Sequence, residues 1–388
     1  IILSSIIVFF SVILFLSLPV LFNFNSIQNI IEKKFYSEFK INLKILDDIT
    51  LKTFPRPHYL VKKANLDLNI QDKNSSVIEV KNLKIFIPIK KIYSKLNIVV
   101  EGFEIEKANI YFRINDILDF RNHLYYKINK PIYIKKSKFF LLDKDSNTIL
   151  ISPINKIEYF INNKNNSKEL KINGNIFDID YVSNWKRYYY NPKKTLNEIS
   201  LKNPNLLIKN SFFFEDNNNF EGKSLVSFLN ESIAINYLMK NNQIYIDSPN
   251  LHKNQKIKIN SKIDLDPFFF NTKIFIDKKS IDFLTDHLLN IILNSKKEYL
   301  GNIDGNLSIV INNLKNSLIN SGNIDLSIKE KEIKLENSIF EIKNIGNVRS
   351  EFKYYVNEGD LIFASKNVFE IINKKEFSRK FQLSPKKL

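Results

Sequence analysis

The sequence predicts a mainly β protein: an N-terminal transmembrane helix, then an extended, curved antiparallel β-sheet (open groove or elongated sandwich) with one inserted amphipathic helix. Three observations carry this. Residues 1–24 contain no charged side chain and the first charge is Glu32; a helix of that length rises about 36 Å, enough for a hydrocarbon core of about 30 Å. After residue 40 the chain alternates apolar and polar residues with period two, between turns rich in Asn and Asp. Within that β region one segment, Ser280 to Ser295, changes to helical spacing.

Composition narrows the class further. A chain of 388 residues has room for a substantial core and two or three domains. The absence of cysteine excludes disulfides, thiolate chemistry and cysteine-ligated zinc. The net charge of +17 points to an anionic partner, nucleic acid or membrane surface. The lysines, however, are scattered in short pairs such as Lys62-Lys63, Lys90-Lys91, Lys135-Lys136 and Lys278-Lys279, with Asp or Glu usually nearby. That pattern describes solvated sheet faces and strand ends, in a chain whose Lys, Asn, Ile and Phe are what AT-rich codons supply, and no nucleic-acid partner is expected.

The expected organisation is an anchor over 1–24, a helix and strands over 25–115, a middle β region over 116–277, a helix with a C-terminal β meander over 278–372, and a polar basic tail over 373–388. The centre of the anchor is Ile6, Ile7, Val8, Phe9, Phe10, Ile13, Leu14, Phe15 and Leu16. Its apolar run is longer than that of a cleaved signal peptide, and its exit, Phe22-Asn23-Phe24-Asn25, lacks a small-x-small cleavage site, so it reads as uncleaved. Lys33, Lys34 and Lys40 favour a cytoplasmic C-terminal side, yet long domains cross membranes regardless of such a bias, and charge leaves the orientation open.

Asn25 to Lys40 places Ile27, Ile30, Ile31 and Phe35 at helical spacing, with Ser26 as the expected N-cap. Its aromatics Phe35, Tyr36 and Phe39 suit either the lipid interface or the first sheet. Strands are expected at 41–45 and 49–51, then a bend fixed by Phe54-Pro55-Arg56-Pro57, then strands at 59–70, 77–87, 96–100 and 103–114. Further strands follow over 132–142, 148–151, 154–161, 170–179 and 199–276. Trp185 with Tyr188, Tyr189 and Tyr190 reads as packing over a sheet end more readily than as a stacking patch.

Two stretches carry a resemblance. LKTFPRPHYLVKKANLDLNI and VIEVKNLKIFIPIKKIYSKLNIVVEGFEIEKANIYFRIND, behind an apolar span and a short helix, resemble the N-terminal region of the AsmA family in order and spacing. The family has a small residue and Gly after its first helix, where this chain has Phe39 and Lys40. The helix at 280–295 followed by the two Gly-Asn-Ile-Asp strands, at 301–304 and 322–325, resembles the family's C-terminal part. The resemblance implies a single-pass protein of the bacterial inner membrane with its bulk in the periplasm. It further implies a groove akin to those of bridge-like lipid transfer proteins and a role in outer-membrane lipid homeostasis.

No residue pattern marks an enzyme. His58, His123, His252 and His287 lie in unlike contexts without metal-ligand spacing, and no cofactor or metal is expected. Asp47-Asp48, Asp143 with Asp145, and Asp264 with Asp266 stand at strand ends, where Asp satisfies turn backbone. The candidate site is therefore the apolar stripe of the later strands: Ile257, Ile259, Ile263, Leu265, Ile303, Leu307, Ile309, Ile311, Ile324, Leu326, Ile328, Ile333 and Leu335. As a groove lining these would hold phospholipid acyl chains; in a closed sandwich they would be core, and the protein a scaffold recruiting envelope proteins. Oligomeric state is not readable from the sequence.

Overall fold

The computed structural model describes residues 11, 14–15, 17–18, 24–67, 77–94, 97–113, 123–143, 145–176, 179–202, 205–214, 219–228, 231–249, 257–277, 304–314, 318–329, 332–357 and 360–383. The chain divides into two compact units, one of residues 1–142 with 151–201 and one of residues 143–150 with 202–388. Both are built overwhelmingly from β-strands.

In the first unit, helix α1 (Gln28–Phe39) precedes β1 (Asn42–Ile45), β2 (Ile49–Lys52), β3 (His58–Asp67), β4 (Val77–Phe86), β5 (Gly102–Arg113) and β6 (Ile132–Leu142). Four more strands follow, β7 (Thr148–Asn162), β8 (Ser167–Ile176), β9 (Ile179–Tyr188) and β10 (Lys194–Leu201). Apolar residues at i, i+4 spacing give α1 one buried face, Ile27, Ile31, Phe35 and Phe39. Phe35 and Phe39 meet Phe103 of β5 at centroid distances of 5.0 and 4.7 Å, so these two aromatics belong to the sheet rather than to a lipid interface, while Tyr36 is exposed. Polar anchors fix the helix: Ile45 N–H donates to Glu32 Oε1 at 2.8 Å, and Ile49 N–H to Asn25 Oδ1 at 2.9 Å. The N-cap is Ile27, not Ser26, because residues 25–27 form a preceding 3-10 turn.

β1 and β2 pair in turn with one edge of β3, on either side of the Asp47-Asp48 break. Phe54 to Pro57 then makes the bend between β2 and β3. Residues 97–100 are not a strand; Ile98 and Val100 are buried nonetheless as they cross toward β5. Trp185 lies within β9, opposite Asn197 and Leu170, so the aromatic cluster is part of a strand and its following turn. β7 runs unbroken through Pro153, which the sequence had divided in two.

The second unit holds β11 (Leu206–Phe214), β12 (Phe220–Phe228), β13 (Glu231–Lys240), β14 (Gln243–Asp247), β15 (Ile257–Leu265) and β16 (Phe268–Asp277). Next come β17 (Asp304–Asn312), β18 (Ile319–Lys329), β19 (Glu332–Ile342), β20 (Gly346–Asn357), β21 (Asp360–Ile371) and helix α2 (Lys374–Phe381). Each strand from β11 to β21 pairs with its sequence neighbours, making one continuous sheet. The expected C-terminal meander is present in β17–β21.

The expected purely antiparallel sheet is corrected to a mixed one. β5 pairs with β6 in parallel, as does β16 with β17. The long connections 114–131 and 278–303 are what allow this, because a parallel partner needs a crossover that a tight turn cannot supply. The amphipathic helix expected at 280–295 falls in the second connection and lies outside the described residues, as do the strand end 68–70 and the turn 72–76. The tail expected at 373–388 begins as α2, whose N-cap Asn373 accepts from Glu376 N–H at 3.1 Å.

Among the described residues no helix is long and apolar enough to cross a membrane. Most of the predicted span, including Ile6, Ile7, Val8, Phe9, Phe10, Ile13 and Leu16, lies outside the described residues. Ser11, Leu14, Phe15 and Ser17 are helical, with Leu14 and Phe15 exposed.

Candidate functional site

Strand register decides which of the candidate apolar residues meet. In a β-strand side chains alternate between faces, and directly opposed residues share a face. One row runs Met239–Ile244–Ile263–Phe270–Gly305–Ile328–Ile333–Tyr354 from β13 to β20. Two residues along each strand lies a second, Tyr237–Ile246–Ser261–Thr272–Leu307–Leu326–Leu335–Phe352. A third, Ile259–Ile274–Ile309–Ile324, and a fourth, Ile257–Ile276–Ile311–Gly322–Phe340, complete the face.

Every described candidate therefore falls on one side of the second unit's sheet. Leu265, opposite Phe268, stands beside the first row on that side; Ile303 lies outside the described residues. Ile257, Leu265, Ile309, Ile311, Leu326, Ile333 and Leu335 are buried, whereas Ile259, Ile263, Leu307, Ile324 and Ile328 are half-buried. The candidates of β17–β19 fall in two clusters, one around Ile276, Ile309, Ile311 and Leu314, the other around Leu326, Ile333, Leu335 and Tyr354. At about 4.8 Å between strands, the rows from β13 to β20 extend some 34 Å, more than the ~15 Å that one leaflet's chains occupy in a bilayer.

Sequence reasoning missed Phe270, Ile274, Ile276, Phe352 and Tyr354 on this face. The run Phe268-Phe269-Phe270 hid the alternation: Phe268 and Phe270 share the apolar face, and Phe269 points the other way. Three glycines also belong to the face, each opposite an aromatic ring. A Cβ at Gly222, Gly305 or Gly322 would come within 2.3, 2.3 and 2.7 Å of the rings of Tyr237, Phe270 and Phe340 respectively.

The polar content of the face is small, and the buried Tyr237 hydroxyl on it has no hydrogen-bond partner among the described residues. Ser261 and Thr272, directly opposed, share a hydroxyl hydrogen bond of 2.7 Å. Burial raises the phenol pKa of Tyr237 and of Tyr354 above the ordinary value, keeping both neutral. Charges occupy the other side of the sheet, where Glu332 bonds Lys353 at 3.1 Å and Lys334 at 3.3 Å. Those two hydrogen bonds hold the Glu332 carboxyl below the usual range, that from Lys353 most strongly. A 490 Å³ depression on that polar side is lined by both signs of charge, Lys334, Glu336, Glu351, Lys353 and Lys366 among them.

The first unit has a contrasting feature. A 520 Å³ depression beside β3–β6 is lined by Lys63, Lys81, Lys107, Lys136 and Lys138 with Glu79. Lys136 bonds Glu106 at 3.3 Å. Nearby, Glu104 takes hydrogen bonds from Lys84 at 2.7 Å and Lys135 at 2.6 Å; burial alone would raise its pKa, and the two ammonium groups lower it instead.

Of the acidic residues, Asp47 and Asp143 bond local backbone, while Asp48 and Asp264 take hydrogen bonds from more distant side chains. Asp143 accepts from Asn147 N–H at 2.8 Å and from its Nδ2 at 3.0 Å, closing its own loop. Asp48 accepts from Asn25 at 2.7 Å, and Asp264 from Gln243 at 2.6 Å. Among the described residues no three His, Cys, Asp or Glu side chains converge as metal ligands. His58 is buried with Nδ1 2.7 Å from the Arg56 carbonyl; His252 and His287 lie outside the described residues. Fold and site together define a β-sheet protein with one wide apolar face. No family model matches the chain, and no curated protein matches it.

Proposed function

We propose that the protein is held at a membrane by residues 1–24 and binds phospholipid acyl chains along the apolar face of β13–β20. The single observation that carries this reading is the continuity of that face: aliphatic and aromatic side chains run strand to strand, broken by one mutually bonded hydroxyl pair and by glycines that lie under neighbouring rings. A lipid chain needs hydrophobic area and no catalyst, and near-uniform contact lets it slide without a deep trap. The half-buried Ile259, Ile263, Leu307, Ile324 and Ile328 are the residues with surface left to offer. The resemblance of residues 51–70 and 77–116 to the AsmA family supports placing this activity in a bacterial inner-membrane protein facing the periplasm and serving outer-membrane lipid supply. The test is native mass spectrometry of the full chain extracted in mild detergent. Phospholipid retained at defined stoichiometry is expected; a lipid-free protein whose apolar face is inaccessible to hydrophobic probes would overturn the reading.

A second reading, an envelope scaffold, has its own observation. Among the described residues β21 pairs only with β20, and Phe363, Val368 and Phe369 on it are exposed. An unpaired strand edge with exposed apolar side chains is a template for a partner's strand. Crosslinking from β21 to envelope proteins, without bound lipid, would favour it.

A further inference from the structure

We propose that one end of the first unit's sheet is a membrane-seating rim, in which Phe54, Ile89 and Tyr93 enter the interfacial layer of a bilayer and Lys90 and Lys91 meet anionic headgroups. Several observations converge on this end. The β2–β3 bend and the segment after β4 lie side by side, because His58 opposes Phe86 and Ile87 N–H donates to the Pro57 carbonyl at 3.0 Å. Pro55 and Pro57 stiffen the bend, and at its tip Phe54 is 83% exposed. On the neighbouring 3-10 turn Ile89 is 52% exposed, while Ile92 turns inward and is buried. The turn thus sorts its side chains, holding one isoleucine in the core and offering the other to the outside.

The same end receives Phe15, one of the described helical residues near the N-terminus. Tyr93 Oη donates to the Phe15 carbonyl at 2.7 Å, and the two rings lie 5.1 Å apart. Phe15 and its neighbours Leu14 and Leu18 are exposed, so apolar surface continues from helix to rim. The charge is of the complementary sign: Lys52 and Lys90 are exposed there, and the acids described nearby are already paired, Glu101 with Arg56 at 2.7 Å and Glu104 with Lys84 and Lys135. Exposed Phe and Ile flanked by Tyr and Lys is the composition of a membrane–water interface, where rings sit at headgroup depth and ammonium groups reach outward. A protein partner would need no such continuity with a membrane-directed helix.

The cysteine-free chain makes the test direct. Phe54→Cys, Ile89→Cys and, at the far end of β4, Glu79→Cys are each labelled with an environment-sensitive fluorophore in the full chain. The labelled chains are reconstituted into phosphatidylcholine vesicles containing phosphatidylglycerol, after melting curves confirm folding. Probes at 54 and 89 should shift to shorter wavelength and be quenched by nitroxide placed high on the acyl chains, and the probe at 79 should do neither. Lys90→Glu with Lys91→Glu should weaken quenching at 89 in the anionic vesicles and leave it unchanged in purely neutral ones. The proposal rests on attachment of residues 1–24 to a bilayer but not on the apolar face of the second unit, so loss of lipid co-purification leaves it standing. Vesicle-bound chain with unquenched probes at 54 and 89 overturns the rim alone, and chain that does not float with vesicles overturns rim and attachment together. Protection of 54 and 89 from a water-soluble quencher without response to the nitroxide lipid assigns them to a protein partner and likewise overturns it.

Discussion

Asparagine does in this chain much of what glycine does elsewhere. Among the described residues seven of the twelve non-glycine positions with positive φ are Asn, so the abundance of Asn serves backbone geometry as well as solubility. The β13–β14 hairpin is the clearest case, with Asn241 and Asn242 at φ 53° and 58°. Asn242→Gly should therefore raise stability by about 0.5–1 kcal/mol in denaturant titration, and Asn242→Val should lower it, since Val resists positive φ. Lys40 shows the same economy: it holds φ 55° after α1, and its N–H donates to the Tyr36 carbonyl at 2.8 Å. His58 supplies a pH prediction. Burial lowers its pKa, outweighing the Arg56 carbonyl, so the folded state keeps the ring neutral. Below about 6.5 the unfolded chain takes up the proton first, so stability is lost as pH falls through the folded value. The denaturation midpoint should drop as pH falls below about 6.5, and His58→Gln should reduce that drop.

At the scale of elements, the glycine–aromatic pairs make a sharp forecast. Gly305 sits under Phe270, so Gly305→Ala forces the ring off the sheet and should cost about 1–3 kcal/mol. In a Phe270→Ala background the same change should cost markedly less, a non-additivity that a double-mutant cycle reads directly. Such pairs were not legible in the sequence, because they join residues far apart along the chain. What was legible is local: alternation gave β15, β17, β18 and β19, and the Phe-Pro bend gave the β2–β3 corner. Pairing direction was not, since hydrophobic period is the same for parallel and antiparallel strands; only the lengths of 114–131 and 278–303 hinted at the crossovers. The helix α2 escaped notice because Lys374, Lys375, Arg379 and Lys380 mask its Phe377–Phe381 contact at 4.7 Å.

Across the second unit, the candidate face was found by period alone, and its width came only with the register. Placing Ile257 and Leu335 on the same side required every pairing from β15 to β19. If the face carries lipid, Ile324→Gln with Ile328→Gln, both half-buried, should reduce co-purifying lipid several-fold. Ile339→Gln, at an exposed position, should leave it unchanged, and lipid quantification by mass spectrometry decides between them.

The β18–β19 pairing shifts register between Asn323 and Leu326 and the β19–β20 pairing between Leu335 and Ser338, with Asn337 at φ 53° and Ser338 Oγ accepting from Asp325 N–H at 3.2 Å. Strands that alternate apolar and polar residues, as β18 and β19 do, would look almost alike to a neighbouring strand if slid along one another. A slip of one residue would turn every isoleucine outward. Each shift is a notch that only one alignment fits. Proofreading of a monotonous sequence is thus helped by Asn337 and the hydroxyl beside it.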